Sequence, residues 1–73
     1  MIRVDLSKSN KVLSNIISDL CTPFGKVRSV NIYRSPTPYA VVQMEDRKKA
    51  VLVARKLGKL AFDGAALIPL KRK

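Results

Sequence analysis

The side chains in this sequence that could do chemistry are mostly cationic, which suits the binding of a polyanion. Fifteen lysines and arginines stand against five aspartates and glutamates, giving a formal charge of +10 over 73 residues. So large an excess on a small surface costs self-repulsion, and a partner such as nucleic acid would offset that cost. A basic surface kept only for solubility is the alternative explanation.

The same sequence gives little support to catalysis or to a bound metal. It has no histidine, no glycine-rich phosphate loop and no serine in the setting of a nucleophile elbow. Its carboxylates are scattered singly apart from Glu45 and Asp46, and Asp46 is better placed to cap a helix. The single cysteine, Cys21, falls on an apolar helical stripe, where a thiol usually acts as a small hydrophobe. We therefore expect a binding protein rather than an enzyme, with no metal and no cofactor.

Length and hydropathy indicate one folded domain over residues 1–73, since 47% of the residues are hydrophobic. No apolar run is long enough to span a bilayer, and no signal-peptide pattern precedes Ile2. We expect an intracellular protein, nuclear or cytoplasmic, with no membrane partner. It would be a monomer or one domain of a longer protein.

Four segments carry strand patterns, of which residues 39–45 are the clearest because they are β-branched and aromatic and follow two prolines. The others are residues 2–6, 27–33 and 65–70. Alternation directs these side chains toward the core: Ile2, Val4, Leu6, Val30, Ile32, Ala40, Val42, Met44, Ile68 and Leu70. It directs these to the opposite face: Arg3, Asp5, Ser29, Asn31, Tyr33, Tyr39, Val41, Gln43, Leu67 and Pro69. Since Pro69 cannot donate to a ladder, the last strand is expected at a sheet edge.

Two amphipathic helices lie between these strands. The first follows capping residues at positions 7, 9 and 10, and its apolar stripe consists of Val12, Leu13, Ile16, Ile17, Leu20 and Cys21. The second runs from Arg47 to about Leu57, between a cap at Asp46 and Gly58. Its apolar stripe consists of Ala50, Val53, Ala54 and Leu57. Leu52 falls off this stripe, so it is the residue expected to be exposed or to meet a partner. Phe62 is expected to enter the core from the following loop.

The resulting order is β-α-β-β-α-β, which predicts an α+β, ferredoxin-like fold. Its natural arrangement is a four-stranded antiparallel sheet with both helices on one face. The other face of the sheet would then be open to a ligand.

Over essentially the whole chain, this order of elements resembles the RNA recognition motif family. Residues 37–44 align with the family octamer, where Tyr39, Ala40 and Val42 match and Thr37, Pro38, Val41 and Met44 do not. The hexamer of the first strand falls on residues 2–7, with Arg3 in the place of the stacking aromatic. Residues 23–27 and the turn at 63–64 are also similar to the family. Residues 39–44 look nearest to polypyrimidine-tract-binding-like and matrin-like members.

The resemblance implies a single-stranded RNA-binding module whose two central strands, the first and third, carry the base contacts. The residues then expected to contact RNA are Arg3, Asp5, Asn31, Tyr33, Arg34, Tyr39, Val41, Gln43, Lys71, Arg72 and Lys73. Only Tyr39 supplies a ring at the family's stacking positions, and each stacked base contributes about 1–3 kcal/mol. We therefore expect modest sequence selectivity and a large electrostatic share.

The proposed fold also implies two basic rims, so that RNA crossing the sheet meets positive charge at both ends. One rim consists of Lys8, Lys11, Arg34, Arg55, Lys56 and Lys59, and the other of Lys26, Arg47, Lys48, Lys49, Lys71, Arg72 and Lys73.

Two other functions fit the same pattern. A protein-interaction module on this fold would bind through the helical face around Leu52. The Arg-x-Phe loop and acidic first helix of peptide-binding family members are not matched by residues 60–62 or by the single acid Asp19. A ribosomal-protein-like domain would instead bind structured RNA by charge alone.

Overall fold

Residues 2–73 are the part of the chain that the computed structural model describes, and they form an α+β fold. The elements follow the predicted order, with one short strand added before the last. They are β1 (Ile2–Val4), α1 (Asn10–Cys21), a 3-10 turn (Thr22–Phe24), β2 (Val27–Tyr33), β3 (Tyr39–Met44), α2 (Arg47–Lys56), β4 (Leu60–Phe62) and β5 (Ala65–Arg72). Ser9 caps α1 by accepting from the Val12 N–H, and Asp46 caps α2 by accepting from the Lys48 N–H.

The sheet within these residues is mixed and has five strands, so the predicted four-stranded antiparallel sheet is wrong in both respects. Its order is β1-β5-β3-β2, and β4 also pairs with β5. The β2–β3, β3–β5 and β4–β5 pairs are antiparallel, whereas β1 runs parallel to β5. Alternation identifies a strand and its buried face, but it does not identify the neighbouring strand.

The predicted edge position of the last strand is also wrong, because β5 lies between β3 and β1. The Leu70 N–H donates to the Pro38 carbonyl of the β2–β3 connection, so the nitrogen of Pro69 faces the opposite side of β5. On that side β4 pairs with residues 65–67 and β1 pairs with residues 70–72. Pro69 lies between the two paired stretches, where its missing N–H removes no ladder bond.

Both helices pack on the same face of the sheet, as predicted. Leu13, Ile17 and Cys21 of α1 and three residues of α2 form one core cluster with the inward residues of the strands. The three from α2 are Ala50, Val53 and Ala54. The inward assignments for β1, β3 and β5 are confirmed, while Leu6, Val30 and Ile32 are only partly buried against this core. Within residues 2–73, neither helix is long and apolar enough to cross a membrane.

The predicted stripe of α1 is too wide, because Val12, Ile16 and Leu20 are exposed. They form a second row beside Leu13, Ile17 and Cys21, since residues four apart lie above one another on a helix. A single helix packing on a sheet covers one of the two rows. The other remains at the surface.

The expectation that Phe62 enters the core is wrong, since 56% of its surface is exposed. Residues 60–62 form a strand, and Phe62 pairs with Ala65. Alternation within this strand sends the small Ala61 toward the helices and the large Leu60 and Phe62 to the other face.

Candidate nucleic-acid interface

The sheet face opposite the helices, here called the open face, carries side chains from all five strands. Residues directly paired across strands share a face, so the register defines its rows. The rows are Tyr33–Tyr39–Pro69, then Asn31–Val41–Leu67–Leu60, then Ser29–Gln43–Ala65–Phe62. Beyond Pro69, Lys71 pairs with Arg3 at the same end of the sheet as the two tyrosines. The open face is thus apolar between β3 and β4 in its middle row, aromatic at two corners and cationic at a third.

Two tyrosine rings stack at the edge of the open face where β2 ends and β3 begins. The ring centroids of Tyr33 and Tyr39 lie 5.0 Å apart, with 16° between the ring planes. Tyr33 is 45% exposed on the edge strand, whereas Tyr39 is half-buried in the row between Tyr33 and Pro69. Tyr33 is therefore the ring that a base can reach more easily, and Tyr39 supports it.

Arg3 and Lys71 form the cationic corner of the open face. Both are exposed, and Lys71 follows Pro69 by one strand repeat of about 7 Å. The ion pairs of residues 2–73 join Lys26 to Glu45 and Arg47 to Asp63, so neither corner cation is neutralised. The Arg3 guanidinium donates to the Arg72 carbonyl at 3.4 Å, which leaves most of its donors available for a phosphate or a base edge.

The predicted grouping of the tail with the opposite basic rim is wrong. Because Pro69 pairs with Tyr39, residues 71–73 lie at the tyrosine end of the sheet. The Lys73 N–H donates to the Val4 carbonyl there, and Arg72 is exposed at the same end. Lys26 lies at the far end of the sheet, where the Glu45 N–H bonds its carbonyl. Its ammonium is 3.5 Å from the Glu45 carboxylate.

Arg34, predicted to hold RNA, makes three hydrogen bonds within the protein. Its guanidinium donates to the Leu6 and Lys8 carbonyls, both at 2.7 Å, and to the Asn10 side-chain oxygen at 2.9 Å. These bonds fasten the β1–α1 loop to the end of β2. Three of the five guanidinium donors are used in this way, which makes Arg34 foremost a structural residue.

Asp5 lies beyond the end of β1 and not on an outward strand position, which corrects its predicted placement. Its carboxylate accepts from the Ser7 hydroxyl at 2.6 Å and from the Ser7 N–H at 3.0 Å. These hydrogen bonds, with smaller help from Lys8 and Lys73, lower the pKa of Asp5 below its ordinary value of 3.8. The anion shapes the turn into α1, and a phosphate would be repelled by it.

The remaining predicted contacts lie together on the open face. Asn31 and Gln43 are exposed amides on β2 and β3, and Val41 is half-buried on β3 between Asn31 and Leu67. Amides can donate to and accept from base edges, while Val41 can only contact a base surface. The structure therefore brings Arg3, Tyr33, Tyr39, Asn31, Val41, Gln43 and Lys71 to one surface.

Sequence reasoning missed Leu60 and Phe62, which extend the open face beyond β5. Asp63 and Gly64 adopt positive φ angles of 53° and 78° and join β4 to β5 in a tight hairpin. An Asp-Gly pair between two apolar runs is a strong hairpin signal. Applied to residues 60–62 as well as to residues 65–70, that signal would have identified both strands.

Comparison of the chain with protein-family models, with curated proteins and with solved structures found no match. The likeness to the RNA recognition motif therefore rests on the sequence patterns alone. In the structure β5 separates β1 from β3, so Arg3 does not lie next to Tyr39 as the resemblance implied. The ring nearest to Tyr39 is Tyr33.

Proposed function

We propose that the protein binds single-stranded RNA on the open face, stacking a base on Tyr33 and holding phosphates at Arg3 and Lys71. The observation that carries the proposal is the exposed Tyr33 ring, stacked on Tyr39, at the same end of the face as cations without ion-pair partners in residues 2–73. The domain would then be a ferredoxin-like relative of the RNA recognition motif with an altered strand order.

The expected binding is driven mainly by charge, with limited sequence selectivity. Stacking on an aromatic ring contributes about 1–3 kcal/mol per base, and each phosphate contact steepens the dependence on salt by about 0.7 in log–log slope for a single strand. Asn31 and Gln43 supply the amides that can distinguish base edges. The net charge of +10 favours the binding of any polyanion. Affinity alone therefore does not test the proposal, and the residues that make the contacts must be located.

Titration of a fluorescein-labelled oligouridylate, followed by anisotropy, tests this proposal. Lys71→Gln and Lys48→Gln remove the same charge, the first from the open face and the second from the exposed side of α2. Lys71→Gln should weaken binding and reduce the salt slope more than Lys48→Gln. Equal effects of the two variants would remove the open face from the proposal. Competition with duplex RNA separates single-strand binding from charge-driven binding of structured RNA.

A protein-interaction role is the second candidate, and the helices supply its supporting observation. Val51 and Leu52 of α2 and the exposed row of α1 place apolar side chains on the helical side. Amide chemical-shift changes on adding the oligouridylate distinguish the two functions. Changes in β2, β3 and β5 support RNA binding at the sheet, whereas an unresponsive sheet removes the first candidate and leaves the second.

A further inference from the structure

Phe62 is the most exposed of the large hydrophobic side chains in residues 2–73, at 56%. Single exposed hydrophobics are common and need no explanation. Phe62, however, shares the open face with Leu60, Leu67 and Val41, with which it forms a continuous apolar surface between β4 and β3. At its far side this surface reaches the tyrosine pair.

The register gives the separation between Phe62 and the Tyr33 ring. Crossing from β2 through β3 and β5 to β4 takes three strand spacings, about 14 Å in all. Tyr33 lies in the row of Pro69 and Phe62 lies in the row of Ala65, which adds about 13 Å along the strands. The two rings are thus about 20 Å apart on the diagonal of the open face.

We infer that Phe62 is a second stacking site for the same RNA strand, so that full affinity requires a ligand long enough to reach both Tyr33 and Phe62. The inference rests on the proposed function and deepens it by assigning a minimum ligand length. Between the two rings, Val41, Leu67 and Leu60 offer an apolar floor for bases and sugars, and the phosphates would face solvent.

Strand pairing fixes the backbone at Phe62 before any ligand arrives. The hairpin turn that follows it is fastened to the end of β3 by the hydrogen bond from the Met44 N–H to the Gly64 carbonyl at 3.0 Å. Arg47 lies 3.9 Å from Asp63 and offsets the one carboxylate next to the ring. A ring on a paired strand loses less conformational entropy on binding than a ring on a mobile loop, so stacking there is more favourable.

The test is a ladder of labelled oligouridylates from two to eight nucleotides, which brackets about 4 nucleotides, the smallest site size of an OB-fold. The wild type should gain affinity steeply once the ligand spans both rings. Phe62→Leu keeps an apolar strand residue and removes the ring. It should leave the dinucleotide unaffected and weaken the octanucleotide at least about fivefold, the share of one stacked base. Phe62→Tyr keeps an aromatic ring at this position and should keep the affinity of the wild type.

The outcomes separate this inference from the proposed function. If Tyr33→Leu weakens every ligand while Phe62→Leu weakens none, the second site is overturned and the proposed function stands. An equal loss for short and long ligands in Phe62→Leu overturns the second site as well. If the wild type binds no ligand of the ladder, or Tyr33→Leu changes nothing, the proposed function fails and the second site fails with it. Thermal unfolding of Phe62→Leu confirms that the variant is folded.

Discussion

Tyr33 and Tyr39 stack face to face across the β2–β3 pair, with 5.0 Å between ring centroids. The two residues are directly opposite in the register, at the point where the β2–β3 connection begins and ends. Tyr39 is half-buried beneath this contact, and Tyr33 is 45% exposed at the sheet edge. One aromatic contact thus closes the hairpin and orients the ring proposed to receive a base.

Removing either ring should therefore have different effects on stability and on binding. Tyr33→Leu should weaken oligouridylate binding at least about fivefold, the contribution of one stacked base. Tyr39→Leu should mainly lower the free energy of unfolding, because Tyr39 is the more buried partner. In urea unfolding, the double-mutant cycle should give a coupling of about 0.5–1.5 kcal/mol, as for other aromatic pairs. A binding loss for Tyr39→Leu with none for Tyr33→Leu would reverse the roles assigned to the two rings.

Arg34→Lys should destabilise the protein although it conserves the charge. A lysine ammonium cannot reproduce the planar arrangement that reaches the Leu6, Lys8 and Asn10 oxygens together. Because these bonds are at the surface, we expect a loss of about 1–2 kcal/mol in the free energy of unfolding. Urea unfolding measures this loss.

Arg55→Lys is the matched control for Arg34, because Arg55 is also exposed but its side chain makes no hydrogen bond or ion pair within residues 2–73. It should be neutral in stability. Arg34→Gln, which removes the charge, should leave the salt slope of RNA binding unchanged if the guanidinium serves the fold. A slope reduced by about 0.7, the value for one lost phosphate contact, would return Arg34 to the binding surface.

Asp5 should make stability depend on pH in the acid range. Its pKa is lowered in the folded state by the Ser7 hydrogen bonds, so the unfolded carboxyl takes up a proton first as the pH falls. This contribution is fully present well above pH 3.8 and is lost as the pH falls through the folded pKa. Urea unfolding between neutral pH and pH 3 should show a smaller acid loss in Asp5→Asn than in the wild type. Asp19→Asn, which leaves the Ser7 hydrogen bonds intact, should keep the acid loss.

The parts of the fold that the sequence predicts correctly are those set by local patterns. The caps at Ser9 and Asp46 and the alternation in residues 39–44 act over a few residues, and the structure confirms them. The pairing of β1 with β5 joins the two ends of the chain, and no local pattern encodes it. Pro69 predicts an edge strand, but in the structure it lies in the gap between the β4-paired and β1-paired stretches of a central strand.

The candidate site shows the same division between local and distant signals. Outward positions on β2 and β3 followed from alternation, and they contain the two tyrosines. The acceptors of Arg34 lie 24 to 28 residues away in sequence, so its structural role could not be read from its neighbours. The sequence predicts that Phe62 enters the core from a loop, whereas its strand register places it on the opposite face.

Cys21 should be inert in the folded protein and should make stability fall in alkaline solution. Cys21 is fully buried in the core cluster between the helices and the sheet. Burial raises the pKa of its thiol from 9.0 to about 11. As the pH rises above 9.0, the unfolded thiol loses its proton first, which favours the unfolded state until the folded thiol also ionises near 11. Native protein should react with a thiol reagent such as Ellman's reagent at pH 8 only as fast as it opens, and urea should accelerate the reaction. Cys21→Ala should lose less stability than the wild type between pH 9 and pH 11, and rapid labelling of the native thiol would contradict its burial.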